Sequence, residues 1–212
     1  MLERPLVFLD VDTQRDFLEP SGALYVAGSR EILANLEQLT QFARAQGIPI
    51  LATACCHHAD DPELAQFPPH CMAGTEGQQK VAATAPPAST VLEPEQRLHG
   101  DLPLHLTLLK REFDVFSRPD ADELIAMYDA AKPTFVVYGV ATDYCVRAVV
   151  EGLVARGCRA AVVVDAVRAI DGDVEAALFT DWARRGVLLA MTDIVCRDRR
   201  QDGADGRSEP IR

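Results

Sequence analysis

Short runs rich in Val, Ile and Leu alternate along this chain with amphipathic stretches of helical period, and that alternation limits the fold more than any other feature. A strand apolar at every position has both faces covered, whereas a strand with one wet face reads apolar and polar in turn. The runs at 6–10, 49–54, 104–109, 134–138, 160–164 and 187–191 predict six strands of the first kind. Between them the spacing predicts helices over 29–45, 121–131, 143–157 and 173–185. Ser29 is placed as an N-cap ahead of the stripe Ile32, Leu33, Leu36, Leu39, Phe42 and Ala43, while Gly157 and Gly186 stand where helices stop. Strand and helix in alternation give an α/β class: a three-layer sandwich with a largely parallel six-stranded sheet flanked by helices.

Two stretches depart from this rhythm. Residues 55–103 hold most of the prolines, the HH and PPH clusters and the small-residue run AATAPPAST, and read as a loop-rich excursion of functional use. Residues 197–212 are polar without apolar anchors and read as a disordered tail, leaving 1–196 as a single domain. With 21 basic against 32 acidic side chains the net charge is -11, and no Lys/Arg run offers the basic footprint of a nucleic-acid or anionic-membrane surface. The opening MLERPLVFLD suits neither a secretory signal nor a membrane span. Six cysteines without a repeating spacing fit a reducing, cytoplasmic setting better than a disulfide framework.

Open α/β sheets bind ligands beyond the carboxyl ends of their strands. Four features lie there: Asp12, the pair Cys55 and His57, Lys110, and the segment 139–145. Cys145 falls at the start of a helix that follows a buried strand, where free N–H groups and the helix dipole favour a thiolate. The alternative is a small residue packing a helix start. Asp12 and Lys110 can reach the same end of the sheet, and Asp, Lys and Cys together form a proton-transfer trio. Taken singly, a strand-end Asp caps a turn and a Lys is a solvated surface group.

Four segments in order, VDTQRDF, FPPHCMAGTEGQ, LLKREFDVFS and YGVATDYCVRA, make the chain resemble the isochorismatase-like cysteine hydrolases, the superfamily that includes nicotinamidases, over about residues 5–192. The resemblance implies Asp12 as acid/base, with Gln14, Asp16 and Phe17 completing DxQxDF, Lys110 as catalytic lysine and Cys145 as nucleophile. It also implies a cis peptide bond between Val140 and Ala141, with the amides of Ala141 and Cys145 as an oxyanion hole. Phe17, Phe67, Phe116 and Tyr144 are the expected substrate-binding residues, and Phe113 is a further candidate, with Phe116 and Phe67, for the wall of an apolar pocket; the alternative for these phenylalanines is core packing.

Nicotinamidase-like members carry Asp-x-His after the second strand and a later His, and these hold a metal. Here the run is TACCHH, so Cys55 stands in the place of the carboxylate, with His57 and His70 matching the two histidines. Cys, His and His suit zinc, with iron or manganese as alternatives; His58, Asp61 and Glu63 are further donors. The competing reading has Cys55 and Cys56 filling a buried strand end with no metal. A vicinal disulfide between the two is a third. No organic cofactor is implied.

The leading functional reading is hydrolysis of a small-molecule C–N amide bond through a thioester, nicotinamide first, by a cytoplasmic homo-oligomer with no nucleic-acid or membrane partner. A carbamoyl or ureido hydrolase and a catalytically silent binding domain are the alternatives. Vinyl-ether cleavage by an isochorismatase is disfavoured by Cys145, which such members typically lack.

Overall fold

The computed structural model describes residues 2–86 and 88–197, so all of the predicted tail except Arg197 lies outside the described residues. Seven parallel strands form one sheet: β1 (Leu6–Val11), β2 (Ile50–Cys55), β3 (Thr90–Leu92), β4 (His105–Lys110), β5 (Thr134–Val140), β6 (Arg159–Arg168) and β7 (Leu188–Ala190), in the order β3-β4-β2-β1-β5-β6-β7. The helices are α1 (Arg15–Leu18), α2 (Leu33–Gln46), α3 (Ala121–Asp129), α4 (Arg147–Ala155), α5 (Gly172–Arg184) and α6 (Thr192–Val195).

Alternation along each strand splits the core in two. In β1, Val7, Leu9 and Val11 face a cluster closed by Leu124 and Tyr128 of α3, Val149, Val150 and Leu153 of α4, and Trp182 of α5. Leu6 and Phe8 face the other side, where Leu36, Leu39 and Ala43 of α2 and Phe17 and Leu18 of α1 cover the sheet. Both faces of β1 are dry, which is why its run is apolar throughout. The exception proves informative: Asp10 is buried on the α2 side and is neutralised by Lys80 Nζ at 3.0 Å, with Thr13 Oγ1 donating to it at 2.7 Å.

The strand count exceeds the expectation by one. The edge strand β3 has only three residues, two of them exposed, and follows Pro86 and Pro87 closely, so it carries no buried-strand pattern. Ser29 does not cap α2. Residues Ser29–Ile32 form a 3-10 turn entered through Gly28 at φ 80°, and the buried Ser29 hydroxyl donates to the Phe17 carbonyl at 3.1 Å. The element placed at 143–157 begins as a π-helical turn, Thr142–Val146, and becomes α4 only at Arg147.

Strand order reverses at β1: the chain passes from β2 to the edge strand β3 and back to β4 between them, then crosses to β5 on the other side of β1. The carboxyl ends of β1, β2, β4 and β5 therefore surround one crevice. Gly139 makes this close approach workable. At φ 119° it takes a backbone conformation that suits glycine, and a Cβ there would sit 2.0 Å from the Val11 carbonyl oxygen.

Candidate active site

Four buried side chains converge at this crevice. Asp12 follows β1 directly, at φ 48°, a left-handed conformation that Asp tolerates better than bulky residues. Thr53 of β2 donates to Asp12 Oδ1 at 2.7 Å. Lys110, the last residue of β4, places Nζ 2.8 Å from Asp12 Oδ2, 3.1 Å from Cys55 Sγ and 3.6 Å from Cys145 Sγ, and donates to the Glu112 carbonyl at 3.0 Å. Asp12 and Lys110 side chains are fully buried, and Cys55 and Cys145 are buried beside them.

Charge is thus confined where water cannot screen it. Burial lifts the Asp12 carboxyl above its ordinary range, and the Cys55 sulfur adds to the lift against the pull of Lys110. Burial alone would lower Lys110, yet the Asp12 carboxylate and the two sulfurs outweigh it and hold the ammonium charged. The two thiols divide. Cys145 hydrogen-bonds to Cys55 and is desolvated, so its thiol is pushed up; Cys55 accepts that bond, lies nearer the ammonium and is pushed down. The neighbouring sulfur, more than the helix start, sets this division.

Cys55 also faces a second group. One ligand atom each from Cys55, His57 and His70 lie within 4.8 Å of one another, all three residues buried. His57 Nδ1 is held by Asp61 Oδ2 at 3.1 Å and His70 Nδ1 donates to the Pro68 carbonyl at 2.8 Å, which leaves each Nε2 free. His57 Nε2 is buried with no hydrogen-bond partner, and so is Glu63 Oε2. Glu63 Oε1 lies 3.8 Å from His57 Nε2 and 3.7 Å from His70 Nε2. A soft thiolate, two imidazoles with their far nitrogens anchored and a carboxylate form a donor set that fits zinc. Burial would lower His70, but Cys55 and Glu63 outweigh it and raise it to about 10.

Among the six donors considered from sequence, His58 is exposed and Asp61 supports His57 from behind, its own carboxyl held down by Arg111 at 2.7 Å against the effect of burial. Cys56 has Gln78 and Glu93 beside it, and all six cysteines are free, Cys55 and Cys56 included. Gln14 explains how Cys55 is aimed: its amide donates to the Cys55 carbonyl at 2.8 Å and accepts from the Cys55 N–H at 2.7 Å, while also donating to the Gln78 carbonyl at 2.7 Å.

Cys145 opens onto a small pocket lined by Phe17, Leu24, Val26, Glu63, Phe67, His70, Phe113, Ala141, Tyr144 and Ile170 as well. The room within it is about 20 Å³, space for one water-sized molecule. Phe67 packs edge-on against Tyr144, with ring centroids 5.3 Å apart, and Phe113 meets the same Tyr144 at 6.5 Å. The peptide bond between Val140 and Ala141 is cis. Of the four expected substrate-binding residues, Phe17, Phe67 and Tyr144 line the pocket. Phe116 does not: it lies over Gly152 of α4, with the Arg156 guanidinium 3.7 Å from its ring centre. Phe113 takes its place. Leu24, Val26 and Ile170 come from segments with no distinctive local pattern.

The family model described as isochorismatase domain matches residues 6–193. No curated protein sequence matches at a significant level. Among solved structures, the chain is similar to the nicotinamidase PncA from Bacillus subtilis at 21% identity, covering 87% of this chain and 98% of that one with a TM-score of 0.73. An N-carbamoylsarcosine amidase from Thermoplasma acidophilum gives 22% identity, coverages of 90% and 98% and a TM-score of 0.71. The pyrazinamidase of Pyrococcus horikoshii in complex with zinc gives 24%, 88% and 98%, and 0.71.

Proposed function

The chain belongs to the isochorismatase family, and from that premise we propose a cysteine amidohydrolase that cleaves the C–N bond of a small, flat amide, with nicotinamide the first substrate to test. One observation carries the reading: a buried ammonium, Lys110, touches both a carboxylate and the sulfur that opens onto an aromatic-walled pocket. Nothing in packing alone calls for two buried charges and two sulfurs at one point, since such groups are costly to desolvate unless paired.

In this reading Asp12 takes the Cys145 proton and the thiolate attacks the amide carbonyl carbon. The C–S bond forms as the carbonyl electrons move onto oxygen, where the N–H groups of Ala141 and Cys145 receive them. Asp12, its carboxyl raised by burial and so suited to hold a proton, returns it to the nitrogen as the C–N bond breaks and ammonia leaves. Asp12 then deprotonates a water that attacks the thioester; the C–S bond breaks, the acid departs and Cys145 regains its proton. Lys110 balances the negative charge at each stage.

Cys55, His57 and His70, with Glu63 as a fourth donor, would hold a divalent cation, zinc before iron or manganese. When bound, that ion supplies a Lewis-acid contact for a substrate heteroatom. The pocket's narrowness supports a substrate of one ring or less, with Phe113 and Tyr144 moving aside on entry. Both are partly exposed. A carbamoyl substrate is a second reading favoured by Glu63 Oε2, a buried acceptor with no partner that suits a ureido N–H. We place the activity in one domain, residues 1–196. Free cysteines fit a cytoplasmic setting, and the exposed Leu188, Leu189, Met191 and Ile194 fit a homo-oligomer contact. Among the described residues, no helix is long and apolar enough to cross a membrane.

The test is ammonia release from a panel holding nicotinamide, pyrazinamide, simple aliphatic amides and N-carbamoyl amino acids. Turnover of at least one member, lost in Cys145→Ala, is expected. A Cys145→Ala variant that retains turnover overturns the reading.

A further inference from the structure

Cys55 sits where its sulfur meets the sulfur of Cys145, and the hydrolytic cycle gives that juxtaposition no task. The ligand atoms of Asp12, Cys55 and Cys145 lie within 4.8 Å of one another, and Lys110 Nζ is 3.1 Å from one sulfur and 3.6 Å from the other. The two residues come from different elements, the end of β2 and the π-helical turn after β5. Cys145 lines the pocket, whose free room admits a molecule the size of water, whereas Cys55 is fully buried and does not line it. We propose that Cys145 and Cys55 form a reversible oxidative modification site for hydrogen peroxide, Cys145 the peroxidatic sulfur and Cys55 the resolving one.

The chemistry closes with one named oxidant. Cys145 sulfur attacks a peroxide oxygen; the S–O bond forms, the O–O bond breaks, and the departing hydroxide leaves as water, so sulfur loses two electrons and peroxide gains them. Cys55 sulfur then attacks the sulfenic sulfur; the S–S bond forms, the S–O bond breaks, and the second hydroxide leaves as water with the Cys55 proton. Two thiols and one peroxide give one disulfide and two waters. A small-molecule or protein dithiol reverses it by exchange, becoming a disulfide itself. The resolving step matters because a sulfenic acid with no partner proceeds to sulfinic acid, which dithiols do not restore. The same geometry leaves Cys56 and Cys71 out: Cys56 has Gln78 and Glu93 beside it, and Cys71 Sγ donates to the Gly77 carbonyl at 3.9 Å.

The experiment treats the chelated wild-type chain with stoichiometric hydrogen peroxide, blocks remaining thiols, and maps tryptic peptides without reduction. Expected is a peptide pair two hydrogens lighter than the free pair, with fragment ions placing the bond on Cys145 and Cys55, removed by dithiothreitol. In Cys55→Ser, given at least two equivalents of peroxide, the link is absent and Cys145 instead gains two oxygens that dithiothreitol does not remove. A wild-type chain in which Cys145 gains two oxygens with no linked peptide overturns the proposal, as does a link between Cys55 and Cys56. Mass is read independently of turnover, so the outcome stands whether or not an amide substrate is found. Where ammonia release is measurable, peroxide lowers it about tenfold or more and dithiothreitol restores it in wild type but not in Cys55→Ser.

Discussion

Two corners of the crevice meet at Cys55, and they are held in different ways. Asp12, Lys110 and Cys145 stand at or just beyond strand ends, so the parallel register that pairs Val11 with Thr53 and Cys55 with Lys110 fixes their backbones to the sheet. His57, Glu63 and His70 hang instead on the excursion after β2, where the stretch before β3 has only two isolated bridges among the described residues, His57 with Met72 and Lys80 with Gln14. That corner is tied down by side chains. Asp16 Oδ2 accepts from the Cys71 N–H at 2.6 Å, Gln14 links Cys55 to Gln78, Lys80 reaches Asp10, and Arg111 holds Asp61 behind His57. The sheet corner is therefore suited to hold charge rigidly, and the loop corner to be organised by whatever its donors bind.

The largest expected effect falls on the sheet corner. Cys145→Ala lowers ammonia release by about 10⁴ or more, because removing a nucleophile disables the whole catalytic unit. Next comes stability. Lys110→Met leaves the fully buried Asp12 carboxylate without its partner and costs about 3–5 kcal/mol, read from urea unfolding. If that variant unfolds at the wild-type midpoint, the two corners are not distinguished by buried charge.

If the loop corner holds the zinc proposed above, its variants act on the ion rather than on the fold. Asp61→Asn weakens zinc binding about 10–100-fold, measured by competition with a chromogenic chelator, while the urea midpoint moves little. Zinc binding also has a pH signature. In the metal-free fold His70 holds its proton up to about pH 10, above its ordinary 6.5, so its contribution to stability is full below about pH 6.5 and fades as pH rises through about 10. Metal must displace that proton, so zinc affinity rises from pH 6 to pH 8, by about tenfold per unit for each proton released. A flat affinity over that range removes His70 from the ligand set. The smallest effect separates two phenylalanines: Phe67→Leu raises KM several-fold, about 1 kcal/mol of lost aromatic contact, whereas Phe116→Leu leaves KM unchanged.

The same contrast governs how much the sequence revealed. Strand-end chemistry was legible because fully buried parallel strands print as continuous apolar runs, and the residue after each run stands at the ligand-binding edge. Asp12, Lys110 and Cys145 could be placed by that rule, and six of the seven strands with them. β3 could not: β7 is an equally short edge strand with the same two exposed positions, but it sits in the five-residue apolar run 187–191, whereas β3 has only Val91 and Leu92 between Thr90 and a polar stretch. In the excursion, position along the chain says little about proximity. His57 and His70 were recognisable from motif spacing, but the meeting of Cys55 with Cys145 depends on how β2 and the turn after β5 flank Asp12. Phe113 and Phe116 are three residues apart with similar surroundings in sequence. Only the 3-10 turn Val115–Ser117 decides that the first faces the pocket and the second faces α4.

The central claim is that Cys145, and not the more acidic Cys55, carries the acyl group. Acid quench within the first turnover of whichever amide releases ammonia, followed by peptide mass mapping, tests it directly. The account predicts a mass gain equal to the acyl group on the peptide holding Cys145, absent in Cys145→Ala; an acyl adduct on Cys55, or ammonia release with no adduct in a chain whose Cys145 is alkylated, contradicts it.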